Sequence, residues 1–199
     1  MAANVEIKAR VRDKAESLRR IQEVSDSAPV LLRQEDTFFY GPRGRLKLRV
    51  LAPDRAQLVY YERSDDAGPK LSRYLLAETD QPEPLRTVLA AALGVRGVVR
   101  KERWLYMAGQ TRIHLDEVEG LGCFLELEVV LREGQTNEEG QRTAEALMAR
   151  LGIQPEDLVN VAYIDLLEKS EPVDNALRRE VNPFAIGAGF WPTACDKVG

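Results

Sequence analysis

Residues 4–12, Asn4-Val5-Glu6-Ile7-Lys8-Ala9-Arg10-Val11-Arg12, alternate between apolar and polar side chains without a break. A period of two places Val5, Ile7, Ala9 and Val11 on one face of a β-strand and Glu6, Lys8, Arg10 and Arg12 on the other. The pattern returns in Arg45-Leu46-Lys47-Leu48-Arg49-Val50, in Arg112-Ile113-His114-Leu115-Asp116 and in Phe124-Leu125-Glu126-Leu127-Glu128-Val129. A chain that repeats it builds sheet with one apolar and one charged face. The charged face then either meets solvent or lines an enclosed interior.

Between these stretches the period changes. Asp13 to Val24 reads as a helix capped by Asp13, with Ala15, Leu18 and Ile21 on one side. Val30 to Tyr40 is strand-like, and Gly41-Pro42-Arg43-Gly44 turns the chain into the strand at Arg45. Gln57 to Arg63 and Leu71 to Thr79, the latter carrying Glu78, continue as strands of a meander around a loop at 65–69. Pro82 to Leu93 is helical and stops at Gly94. Val95 to Met107 is strand again, with Lys101 and Arg103 on one face. Asn137 to Leu151, ended by Gly152, and Pro155 to Leu167 have helical period, and Cys123 reads as a turn residue. Beyond Glu168 the composition shifts to Pro, Gly and Asn. Residues 170–199 therefore read as an irregular or disordered tail behind one α+β domain over 1–169.

With 44% hydrophobic and 30% charged side chains in 199 residues, the profile is that of a soluble globular chain with a sizeable core. The net charge of −4 argues against general nucleic-acid binding, which needs a basic surface. No run of about eighteen apolar residues supports a membrane span, and the charged amino terminus lacks an apolar signal segment. A cytoplasmic location is expected. Cys123 and Cys195 are too few for a disulfide framework and are expected to stay reduced. The single histidine, His114, allows no confident Ser/His/Asp triad and no multi-histidine metal site. It alternates onto the charged face beside Asp116, where a hydrogen-bonded structural role is expected. Any metal must be held mainly by carboxylates, which favours magnesium, manganese or calcium.

The charged faces of the strands collect into two sets. The basic set is Lys8, Arg10, Arg45, Lys47, Arg49, Arg63, Lys101, Arg103 and Arg112, and the acidic set is Glu6, Glu78, Asp116, Glu126 and Glu128. In an open sheet they are solvated, and their ion pairs are worth about 0–1 kcal/mol each. If about eight strands close into a barrel, one face points inward, into a space that holds side chains or one small ligand. Two unit charges about 4 Å apart repel by roughly 4 kcal/mol at an effective dielectric near 20, so enclosed cations call for a polyanion. Carboxylates beside them suggest a hard divalent cation bridging protein and phosphate oxygens.

Several short stretches, taken in order, resemble the CYTH domains, or triphosphate tunnel metalloenzymes, a family that includes class IV adenylate cyclases and thiamine triphosphatases. Asn4-Val5-Glu6-Ile7-Lys8 matches the family's Glu-x-Glu-x-Lys signature at its second glutamate and lysine, with Asn4 in place of the first glutamate. Gln34-Glu35-Asp36-Thr37-Phe38-Phe39, Gly44-Arg45-Leu46-Lys47-Leu48-Arg49, Tyr61-Glu62-Arg63 and Lys101-Glu102-Arg103 follow. Arg112-Ile113-His114-Leu115-Asp116, the run from Gly120 to Glu128, and Tyr163-Ile164-Asp165-Leu166-Leu167 complete the set across residues 4–167.

The resemblance implies an eight-stranded antiparallel β-barrel with flanking helices, open as a tunnel along which a triphosphate lies. Lys8, Lys47, Arg49, Arg63, Lys101, Arg103 and Arg112 would grip phosphate oxygens, arginine as a fork and lysine as a point charge. Glu6, Glu126 and Glu128 would hold Mg²⁺ or Mn²⁺, with Glu78 and Asp116 as weaker candidates, and Glu6, Lys8, Glu126 and Glu128 would form the catalytic set. The implied activity is hydrolysis of inorganic tripolyphosphate or an organic triphosphate. Alternatives are an adenylate cyclase acting on ATP and a non-catalytic polyphosphate- or nucleotide-binding module. Oligomeric state is not specified.

Overall fold

Every alternating stretch is a strand in the computed structural model, which describes residues 2–64 and 68–170. The strands are β1 (Ala2–Arg10), β2 (Val30–Phe39), β3 (Arg45–Ala52), β4 (Arg55–Arg63), β5 (Lys70–Thr79), β6 (Val95–Ala108), β7 (Thr111–Val118) and β8 (Gly122–Val130). They close into an antiparallel barrel in the order β1-β5-β4-β3-β2-β6-β7-β8. The expected meander is two meanders, β2 to β5 and β6 to β8. β1 completes the ring by pairing with β5 on one side and β8 on the other. Cys123 lies on β8 rather than in a turn.

Most of the hydrophobic core lies outside this barrel, between strands and helices, while a further cluster with Phe38 and Val99 reaches its interior. α1 (Lys14–Val24) and α3 (Asn137–Leu151) cover β1, β7 and β8, where Ile21, Leu147 and Leu151 pack with Ile7, Ile113, Leu115, Leu125 and Leu127. α2 (Pro82–Leu93) brings Leu85 and Leu89 against Phe39 and Leu48. Each such side chain contributes about 1.5–3 kcal/mol on burial, so the shell of helices supplies stability that the charged interior cannot. The helix ends follow their chemistry. The Asp13 carboxylate accepts from the Ala15 and Glu16 amides at 2.9 and 3.1 Å, and Gly152 ends α3 in the left-handed region at φ 71°.

The helix expected over 155–167 is broken in two. Pro155–Asp157 is one 3₁₀ turn, the chain then runs extended, and α4 (Tyr163–Ser170) begins afresh. Extended backbone lets neighbouring residues serve different cores, with Leu158 packed beside the α1–α3 cluster and Val159 beside Phe38, Val99 and Phe124. The Val159 amide donates to the Lys8 carbonyl at 2.8 Å, a long-range bond that replaces a helical one. α4 can approach β6 because Gly97 has no side chain; a Cβ there would lie 2.6 Å from Ile164 Cδ1. Beyond Ser170 the expected tail, with Cys195, lies outside the described residues, as do residues 65–67 of the expected loop. Among the described residues no helix is long and apolar enough to cross a membrane.

Candidate functional site

Closure turns the charged face inward. Glu6, Lys8, Lys47, Arg49, Arg63, Lys101, Arg103, Arg112, Glu126 and Glu128 all line one cavity of about 350 Å³, the size of a small-molecule site. Ala162 and Tyr163, which belong to no strand, also form part of its lining. The Tyr163 ring packs edge-on against Phe124 at 5.0 Å between centroids.

The basic side is organised by a residue absent from the charged sets drawn from the sequence. Asp36 on β2 is 1% exposed and receives the Arg49 fork at 2.7 and 2.8 Å, Lys47 at 2.9 Å and Lys101 at 3.0 Å. Register explains the convergence, since Asp36 stands opposite Arg49 on β3 and beside the β6 partner of Gln34, Lys101. Burial alone would raise the Asp36 carboxyl; Arg49, Lys101 and Lys47 hold it well below the usual range. The reverse holds for Lys47, pushed down to about 7 by burial and the neighbouring Arg49 against the pull of Asp36.

Arg103 is held similarly. Its guanidinium makes a fork to Asp116 at 2.6 and 2.5 Å and also reaches Glu126. Asp116 is fully buried, and the Tyr163 hydroxyl donates to it at 2.9 Å. Both oxygens of this weaker metal candidate are therefore engaged, by Arg103 and Tyr163. Glu78, the other weaker candidate, is exposed and accepts from Gln57 at 3.3 Å. It lies at the opposite end of β5 from Lys70, the residue that pairs with Glu6, and so stands apart from the other glutamates.

The β1–β8 pairing sets Glu6 opposite Glu128 and Lys8 opposite Glu126, while the group close enough to share one cation is His114, Glu126 and Glu128, with Glu6 outside it. Glu6 bonds Arg63, Glu128 accepts from Arg112 at 3.2 Å, and Glu126 meets Lys8 at 3.3 Å. Lys8 also donates to the Val161 carbonyl at 3.1 Å and sits 3.7 Å above the Tyr163 ring. Burial raises the Glu6 carboxyl despite Arg63, and Glu128 adds to the rise. At Glu126 burial is outweighed by Arg103 and Lys8, which hold the carboxyl well below its usual value.

Buried polar atoms in this region without a hydrogen-bond partner include two potential ligand atoms, Asn4 Oδ1 and His114 Nδ1, and the Nε and Nη2 donors of Arg63. Asn4 lines the cavity and is 4% exposed. His114 was expected to be hydrogen-bonded, yet its Nδ1 lies 3.8 Å from Glu128 Oε1 and 4.0 Å from Glu126 Oε2. Burial, with Arg103 close by, pushes this imidazole down to about 4, so it is neutral at pH 7. Two carboxylates beside an orphaned imidazole nitrogen are a donor set that fits a divalent cation.

Other residues complete the lining or leave it. Lys70 is buried and donates to the Asn160 carbonyl at 2.9 Å, and Tyr61 borders the cavity. Arg45 instead bonds Asp165 of α4 at 3.1 Å, and Arg10 is exposed. Inward parity was the signal available for Asp36 and Lys70. Tyr163 carried no such signal, because it enters from a helix.

An antiparallel barrel with opposed basic and carboxylate walls inside defines a class of charged-tunnel proteins. A family model for the CYTH domain matches residues 2–163, and the chain belongs to that family. It is 25% identical over 175 residues to a Methanocaldococcus jannaschii protein named "Putative adenylate cyclase MJ0240", covering 81% of this chain and 97% of that one. The structure of the PH1012 protein from Pyrococcus horikoshii is similar, with a TM-score of 0.73 and 28% identity over 82% of this chain and 98% of that chain. The barrel is also shared with HpAC1 of Hippeastrum, described as an adenylyl cyclase relative with a dominant triphosphatase activity. There the TM-score is 0.57 and the identity 16%, over 86% of this chain and 98% of that one.

Proposed function

We propose that this protein is a metal-dependent hydrolase of a triphosphate, either inorganic tripolyphosphate or an organic derivative. The observation that carries the reading is the charge inside the barrel, where seven basic and four acidic side chains line one cavity. The excess of positive charge favours a polyanion, and the grouped glutamates favour a cation beside it. Lys47, Arg49 and Lys101 are held ready by Asp36, Arg103 by Asp116, and Lys8 by Glu126 and the Val161 carbonyl. Fixed in this way, they bind and orient phosphate oxygens at little reorganisation cost. Glu6, Glu126 and Glu128 would hold Mg²⁺ or Mn²⁺, with Asn4 offering a neutral oxygen. When bound, that ion supplies charge neutralisation on the phosphates and a lower pKa for attacking water. The triphosphatase activity described for the Hippeastrum protein supports the hydrolase reading. A cytoplasmic location and a small-molecule partner go with it.

A cyclase reading draws on the name of the M. jannaschii relative and on Val59, Tyr74 and Leu76, which give one part of the lining an apolar surface suited to an organic group. Phosphate release from tripolyphosphate, thiamine triphosphate and ATP, with and without Mg²⁺ or Mn²⁺, is the test, with cyclic AMP measured in parallel. Metal-dependent orthophosphate release is expected. Cyclic AMP without it makes the protein a cyclase. Silence in every assay, with thermal stabilisation by tripolyphosphate, makes it a binding module; at 100 times its Kd a ligand adds about 2.7 kcal/mol.

Lys47 links binding to pH. Its folded pKa of about 7 lies below that of an unfolded lysine, near 10.4, so between these values the unfolded chain holds a proton the folded one lacks. Stability of the ligand-free protein from this group therefore rises with pH across that window and is flat below it. A bound polyanion restores the charged form. At pH 8, tripolyphosphate binding is expected to take up about one more proton in the native protein than in Lys47→Met. Calorimetry in two buffers of different ionisation enthalpy measures the difference, and equal uptake in both proteins would remove Lys47 from the anion site.

A further inference from the structure

We propose that His114 is a nitrogen ligand of the cation site, which together with Glu126 and Glu128 takes a first-row transition metal such as Mn²⁺ in preference to Mg²⁺. The inference rests on the reading of Glu126 and Glu128 as cation ligands and adds to it the identity of a third donor and the class of ion.

Three observations carry it. The β7–β8 register sets His114 directly opposite Glu126, with Arg112 opposite Glu128, so the imidazole stands between the two carboxylates. The His114 side chain is 4% exposed, and its Nδ1 has no hydrogen-bond partner although two carboxylates are near. Finally, one His114 nitrogen and one oxygen from each glutamate all lie within 4.8 Å of one another. At 3.8 and 4.0 Å the N···O separations are too long for hydrogen bonds. They are longer than the ~3.0 Å between neighbouring ligands of an octahedral site with bonds of about 2.1 Å. Small rotations of the two glutamates would close that gap.

One of the two carboxylate oxygens nearest the imidazole is free. Arg112 takes Glu128 Oε2 and leaves Oε1, the oxygen nearer the imidazole. Glu126 Oε2 is shared with Arg103, so a cation must displace that contact, but Arg103 keeps its fork on Asp116. A site of oxygens alone suits Mg²⁺, which demands octahedral geometry and retains water, whereas an imidazole nitrogen shifts preference from Mg²⁺ toward the first-row transition metals, least for Mn²⁺ and more for the later ions.

His114 is the only histidine in the chain, so an imidazole signal from the untagged protein has one source. Pulsed electron paramagnetic resonance on the full chain loaded with Mn²⁺, without substrate, is expected to show a directly coordinated imidazole ¹⁴N. His114→Gln is expected to lose that coupling and to bind Mn²⁺ at least about 10-fold more weakly, with Mg²⁺ affinity unchanged. Oxygen-only coordination of Mn²⁺ in the native protein overturns the proposal, as does an unaltered Mn²⁺ to Mg²⁺ preference in the variant. If the variant does not fold, the native spectrum decides alone. Failure of the underlying reading looks different: Mn²⁺ then binds equally to the native protein and to Glu126→Gln with Glu128→Gln, or to neither.

Discussion

Replacing Asp36 with asparagine is expected to lower the melting temperature of the ligand-free protein by on the order of 10 °C, from a loss of about 3–5 kcal/mol. Asp36 is the carboxylate that Lys47, Arg49 and Lys101 share, and all four are buried or nearly so. Asparagine keeps the shape and removes the charge, which leaves three cations crowded in a low-dielectric wall. The lysines can shed protons, but the Arg49 guanidinium cannot. The deficit should therefore deepen below about pH 7, where Lys47 must be charged. Tripolyphosphate should recover much of the loss, because its oxygens replace the missing carboxylate. Thermal melts at pH 6 and pH 9, each with and without tripolyphosphate, read all three effects. An unchanged melting temperature would mean that the cations do not depend on Asp36.

The second large effect is catalytic. Glu126→Gln combined with Glu128→Gln is expected to abolish metal-dependent turnover, by at least about 100-fold, while the circular dichroism spectrum stays native. Glu126 lies between Lys8 and Arg103, and Glu128 beside Arg112, so neutralising both removes negative charge from the cation side and leaves the basic residues in place. Metal-free binding of tripolyphosphate should then hold or strengthen, because repulsion from two carboxylates is gone. Lost turnover with retained anion binding separates loss of the ion from loss of the fold. Activity equal to that of the native protein would take both glutamates out of the mechanism.

Much of this site is legible in the order of residues along the chain. The two-residue period of β1, β3, β7 and β8 sets Glu6, Lys8, Lys47, Arg49, Arg112, Glu126 and Glu128 on a common face, and strand closure brings that face inside. The helices α2 and α3 begin and end where their period and stop glycines place them. Periodicity misleads over 155–167, where the local pattern favours a helix but hydrogen bonding to Lys8 and packing against two separate cores favour extended chain. Parity alone also does not reveal that Asp116 meets Arg103 and Tyr163, or that Glu78 stands exposed beside Gln57.

The division has a physical basis. Which residues share a face is a property of neighbours along the chain, since side chains alternate across any strand, and the sequence by itself determined it. What each inward charge touches depends on the register between strands and on contacts across the barrel. Lys8 meets Val161 across 153 residues, Asp36 joins Lys101 across 65, and His114 stands beside Glu126 only because β7 and β8 align as they do. Only the tertiary structure decided those meetings. They set a basic cluster tied to Asp36 apart from a mixed cluster in which glutamates, their basic partners and an orphaned imidazole nitrogen meet.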